Sequence, residues 1–128
     1  MLKPFAATVA LTALLSIASS MAWAGKYDVA VVIGNSKYGK DIPEVSYAGR
    51  DADAIRQWLI NVRDVDPDNI IDLRNATKAQ LEATFGSESN PRGRLWRYAD
   101  PKNNGEVLVF YSGHGIPGLE NRESYLLP

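Results

Sequence analysis

The sequence predicts an α/β domain, a three-layer α/β/α sandwich on a mainly parallel sheet. The β-branched run 27–33 suits a strand buried on both faces, and 106–111 is a second strong apolar run with the length of a strand. Between them lie segments with helical spacing of apolar residues. The resulting order of strand, helix, strand, helix and strand requires crossovers, and crossovers pair strands in parallel with right-handed connections.

Residues 1–24 read as a cleavable signal peptide. Lys3 is their sole charge, 5–17 is apolar apart from two threonines and Ser16, and Ala22-Trp23-Ala24 has the A-x-A form of a cleavage site. The run is shorter than the roughly 20 apolar residues that span a bilayer. The expectation is therefore an exported product, periplasmic or secreted, comprising 25–128 with no membrane span after cleavage.

The first strand, Tyr27-Asp28-Val29-Ala30-Val31-Val32-Ile33, ends at Gly34. Residues 35–47 contain Gly39 and Pro43 and read as a loop. Ala48, Ala52, Ile55, Leu59 and Val62 then stripe one face of a helix. Asp51 and Asp53 sit in its first turn, where the helix dipole favours carboxylates. A turn around Pro67 leads to a short strand, Ile70-Ile71-Asp72-Leu73. Thr77-Lys78-Ala79-Gln80 is a capping box that opens a second helix, with Leu81 and Phe85 one turn apart. Asn90-Pro91 restarts a helix with proline at its first position, and Leu95, Trp96 and Ala99 form its apolar face. The third strand, Glu106 through Tyr111, stops at Ser112-Gly113-His114-Gly115. Tyr27, Trp58, Phe85, Trp96 and Phe110 are assigned to the core.

Composition narrows the chemistry. The formal net charge is −1, which gives no electrostatic footprint for nucleic acid or an anionic membrane surface. There is no cysteine and one histidine, which excludes zinc–thiolate and multi-histidine metal sites. Gly34-Asn35-Ser36-Lys37-Tyr38-Gly39-Lys40 matches the G-x-x-x-x-G-K of a phosphate loop. However, Asp41-Ile42-Pro43 follows where a hydroxyl residue and a helix N-terminus are needed, so nucleotide binding is not expected. Neither G-x-G-x-x-G after the first strand nor a G-x-S-x-G elbow is present.

In open parallel sheets, ligands bind beyond the carboxyl ends of the strands. That rule selects 34–38 and 112–115. His114 follows a buried strand between two glycines, which permit positive φ and close approach of another molecule. Imidazole is the side chain suited to proton transfer near neutral pH. Asp51 lies at the same edge of the sheet.

Val31-Val32-Ile33-Gly34-Asn35-Ser36-Lys37-Tyr38, Ala48-Gly49-Arg50-Asp51-Ala52, Val109-Phe110-Tyr111-Ser112-Gly113-His114-Gly115 and Tyr125-Leu126-Leu127-Pro128 together resemble the caspase-like cysteine peptidases. The likeness is to their bacterial branch beside metacaspases and paracaspases, and it spans nearly all of 26–128. The resemblance implies that His114 is the histidine of a Cys-His dyad and that the Gly115 N–H lines the oxyanion hole. It also implies that Asp51 lines a specificity pocket for Arg or Lys, with Ser112 beside it. Arg50 would suit an acidic substrate, but its register beside Asp51 argues against that role.

The expected activity is thus cysteine-type endopeptidase cleavage of a peptide or protein substrate after a basic residue. The nucleophile is missing: in caspases the cysteine lies about 50 residues after the histidine. The chain is therefore read as the amino-terminal part of the domain, inactive alone, with its partner the absent carboxyl-terminal half and an exposed sheet edge where further strands would pair. No cofactor is implied within this stretch, and the calcium-binding carboxylates of some metacaspases would lie beyond it. The alternative is a catalytically inactive caspase-like module that binds basic segments or scaffolds an envelope assembly.

Overall fold

The computed structural model describes residues 27–99, 102, 104–118 and 123–128. The expected signal peptide, 1–24, lies outside them. Among the described residues no helix is long and apolar enough to cross a membrane.

The central strand, β1 (Val29–Gly34), is buried at all six positions. It pairs in parallel with β2 (Ile70–Arg74) on one side and β3 (Val107–Ser112) on the other, giving the order β2-β1-β3. Helix α1 (Ala48–Asn61) links β1 to β2, and α2 (Lys78–Phe85) and α3 (Arg94–Tyr98) lie between β2 and β3.

Alternate β1 side chains point to opposite faces. Ala30 and Val32 pack with Ala52, Leu59, Val65 and Ile70, so α1 covers that face. Val31 and Ile33 pack with Ile71 and Ala76, against which Leu81, Leu95 and Tyr98 close from α2 and α3. The architecture is α/β/α. One connection runs outward from β1 to β2, and the next returns across β1 to β3. Right-handed crossovers in opposite directions place their helices on opposite faces.

Gly34 is required by the close approach of α1 to β1. A Cβ there would stand 2.7 Å from the Ala48 carbonyl oxygen and 2.9 Å from the Ala52 Cβ. Gly34→Ala is expected to push the helix outward and cost about 1–3 kcal/mol, as overpacking does. Denaturant midpoints measure the loss, and an unchanged midpoint would show that α1 yields freely.

The capping box forms as expected. Thr77 Oγ1 accepts from the Gln80 N–H at 3.3 Å, and the Thr77 N–H donates to Gln80 Oε1 at 2.9 Å. The third helix starts later than the Asn90-Pro91 signal implies, at Arg94. Ser87 and Asn90 exchange backbone hydrogen bonds of 2.9 and 3.2 Å, and that turn absorbs the proline. The resemblance implied a strand at 125–128, and β5 (Ser124–Leu126) lies there, but its antiparallel partner β4 (Gly115–Pro117) was not expected. Gly115 therefore opens a strand instead of closing a loop.

The aromatic assignment is corrected for most of its members. Phe110 packs on the core, whereas Tyr27, Trp58, Phe85 and Trp96 are exposed. The Arg92 guanidinium covers the Trp96 ring at 5.4 Å, so cation–π contact replaces burial there. Val107 and Val109 are exposed on β3, an edge strand among the described residues.

Candidate functional site

The carboxyl ends of β1 and β3 lie side by side, with Gly34 opposite Ser112. Loop 35–47 leaves β1 at this point, and 113–114 leaves β3. The first of these loops is anchored by amide side chains. Asn35 is fully buried, and its Oδ1 accepts from the Ala76 N–H at 2.8 Å. Its Nδ2 donates to the carbonyls of Ala76 (3.4 Å) and Leu127 (3.3 Å). Asn75, at φ 49°, occupies the left-handed region that asparagine tolerates. Its Oδ1 accepts from the Ser36 and Lys37 N–H groups at 3.0 and 2.9 Å. The segment that resembles a phosphate loop is thus tied down by asparagines, and no helix begins at Lys40.

Asp51 is exposed in the first turn of α1. The Ser112 hydroxyl at the end of β3 donates to Asp51 Oδ2 at 3.2 Å, which joins two residues far apart in sequence. Arg74 at the end of β2 holds this end of α1 in place. It donates to the Gly49 carbonyl at 2.7 Å and pairs with Asp53 at 3.0 Å and Asp72 at 2.6 Å. Asp53 is accordingly a structural partner. Arg50 stacks on the Tyr47 ring at 4.6 Å. The result is a surface carboxylate with a hydroxyl beside it, suited to charge-assisted hydrogen bonds with a cation.

His114 is half-buried at the same end of the sheet. Its Nε2 lies 2.7 Å from the Pro43 carbonyl oxygen. A carbonyl only accepts, so Nε2 carries the proton, and Nδ1 of the neutral ring is an acceptor. No described residue hydrogen-bonds Nδ1. The backbone N–H of His114 donates to Tyr38 Oη at 2.8 Å, and the Tyr38 and His114 rings are 4.8 Å apart. His114 and Asp51 make no hydrogen bond with each other. Both lie at the carboxyl end of β3, Asp51 through its bond with the Ser112 hydroxyl and His114 two residues further along the chain.

Comparison with family models, curated proteins and solved structures gave no match.

Gly115 stands opposite Leu126 in the hairpin. The Leu127 N–H donates to the His114 carbonyl at 2.9 Å, which makes His114 and Leu127 a hydrogen-bonding pair. Such pairs alternate along an antiparallel ladder, so the Gly115 N–H points away from β5. It is therefore a backbone donor, next to His114, that the ladder does not use.

The glycines beside His114 do not take the left-handed backbone expected of them, since Gly86 is the only glycine with positive φ among the described residues. At Gly113 the requirement is space. A Cβ there would meet Tyr111 Oη at 2.5 Å and Tyr38 Oη at 2.6 Å. Tyr111 Oη donates toward the carbonyls of His114 (2.8 Å) and Leu127 (2.7 Å). Burial, reinforced by the neighbouring Tyr38, pushes the Tyr111 phenol above its ordinary range and keeps it a proton donor.

Sequence reading assigned no role to Asn35, Tyr38, Pro43 or Tyr111. Pro43 acts through its carbonyl, so its side chain carries no signal of the role. The tyrosines reach the site only when two strands and a loop converge. Among the described residues no group of three or more His, Cys, Asp or Glu is gathered to hold a metal.

Proposed function

We propose that the chain is the histidine-bearing part of a caspase-like cysteine endopeptidase domain that cleaves after Arg or Lys. The observation that carries this reading is the hydrogen bond of His114 Nε2 to the Pro43 carbonyl. It orients the imidazole by one nitrogen and leaves the other as an acceptor near the carboxyl end of β3.

Each group then has a chemical task. A thiol supplied by chain outside these 128 residues gives its proton to Nδ1, and the thiolate attacks the scissile carbonyl. The imidazolium returns that proton to the leaving amine. The Gly115 N–H faces the developing oxyanion, where one such donor lowers the barrier by about 3 kcal/mol. Asp51, with the Ser112 hydroxyl at 3.2 Å, accepts hydrogen bonds from the basic side chain before the cleaved bond.

The test uses the domain expressed from the reading frame extended beyond residue 128. Asp51→Ala is expected to cut the preference for Arg and Lys over neutral residues by about 10- to 100-fold, the value of a lost charged hydrogen bond. Turnover of neutral peptides should change far less. Equal selectivity in variant and wild type would remove Asp51 from the pocket. The Asp51–Ser112 pair needs no sulfur, so it also favours a second reading, a non-catalytic module for basic segments. Saturable binding of Arg peptides without cleavage by the extended domain selects that reading.

A further inference from the structure

We propose that the hydroxyls of Tyr38 and Tyr111 form a two-phenol wedge that replaces one rung of the β4–β5 ladder and thereby positions His114. Both are positioning residues that act through His114. The importance of the wedge rests on the reading of His114 as the proton-transferring group, but its existence can be tested without any peptidase activity.

The argument starts from the ladder. Extending the register by one step sets His114 opposite Leu127. In a hydrogen-bonding pair both residues exchange N–H and C=O bonds. Only half of this exchange occurs: the Leu127 N–H donates to the His114 carbonyl at 2.9 Å. The reciprocal groups are diverted. The His114 N–H donates to Tyr38 Oη at 2.8 Å, and the Leu127 carbonyl accepts from Tyr111 Oη at 2.7 Å.

The two phenol oxygens are 3.4 Å apart. Each phenol has one proton. That of Tyr111 is shared between two carbonyls, which only accept, so Tyr38 is the donor at the phenol–phenol contact. The missing rung thus becomes a relay: His114 N–H to Tyr38 O–H, to Tyr111 O–H, to the Leu127 carbonyl. Gly113 supplies the room, because a Cβ there would collide with both hydroxyls.

The wedge lets a single loop grip His114 twice. Loop 35–47 holds the backbone N–H through Tyr38 and the ring Nε2–H through the Pro43 carbonyl. A closed rung would hand the backbone contact to Leu127 and leave the loop with its grip on the ring alone. Replacing the rung with side chains couples the orientation of the imidazole to the loop that carries its acceptor.

His114 is the sole histidine, so histidine labelled with nitrogen-15 reports on one ring. The experiment is a proton–nitrogen spectrum of the labelled chain, recorded where the ring nitrogen resonances are those of the neutral form. The expected wild-type result is one Nε2-bound proton in slow exchange with water. Tyr38→Phe keeps the ring and removes the hydroxyl. It should speed that exchange about fivefold, the value of one net hydrogen bond, and move the Nε2 resonance. Tyr111→Phe should do the same. Should Tyr111→Phe not fold, Tyr38→Phe decides alone. A Tyr38→Phe spectrum identical to wild type would overturn the proposal, even if the melting temperature fell, because a merely structural tyrosine predicts that outcome. The expected spectra from an extended domain that cleaves nothing would uphold the wedge and remove the peptidase reading.

Discussion

His114→Ala is expected to reduce cleavage of Arg-containing peptides by the extended domain about 10²- to 10⁴-fold, the range of a positioned proton-transfer group. The fold should survive. His114 is half-buried, and its ring makes a single hydrogen bond, to a carbonyl on an exposed loop. Loss of that bond should cost about 1 kcal/mol. The check is a pair of measurements on one preparation, steady-state cleavage and thermal unfolding. A large loss of rate at nearly constant stability places His114 in the chemistry. Cleavage at the wild-type rate would leave the imidazole without a role, and a collapse of stability would make it a structural residue.

Asn35→Ala should show the opposite pattern, lowering stability by about 2–4 kcal/mol, since it strands buried partners at about 1–3 kcal/mol each. Asn35 is fully buried at the end of β1, and its amide satisfies the Ala76 N–H and the carbonyls of Ala76 and Leu127. For a domain of this length the melting temperature should fall by roughly 10 °C or more. Asn75→Ala is the natural comparison, because the bonds Asn75 makes are exposed and water can replace them. A smaller effect at Asn35 than at Asn75 would mean that the Leu127 segment is not held from β1. Loss of the Asn35 bond to Leu127 also loosens the hairpin behind His114, so this variant should impair the site through its frame.

Much of the layering was legible because it depends on local pattern. The uninterrupted apolar run 29–33 can satisfy burial only between two layers, and β1 is buried throughout. The stripe of Ala48, Ala52, Ile55 and Leu59 has one apolar face, and α1 packs it on β1, whereas Val62, expected to continue it, lies past the end of the helix and is exposed. Legibility ended where a contact depends on distant partners. Trp96 and Phe85 look like core residues until the short α3 and the Ser87–Asn90 turn leave them at the surface. The segment after His114 looks like a loop because Gly115-Ile116-Pro117 has weak strand character. Its strand state comes from pairing with 124–126.

Residue type and spacing alone therefore determined the parallel α/β plan, the capping box at Thr77, and the location of 34–38 and 112–115, with Asp51 nearby, at the carboxyl end of the sheet. These follow from side-chain periodicity and from the rule that strand carboxyl ends face the ligand, both of which can be read in one dimension. Only the tertiary structure decided which atoms meet: the Ser112 hydroxyl and Asp51, the Pro43 carbonyl and Nε2 of His114, and the two phenols with the interrupted rung. Hydrogen bonds need donor and acceptor within about 3 Å and aligned. That condition joins residues separated by dozens of positions, and it emerges only when β1 and β3 lie side by side.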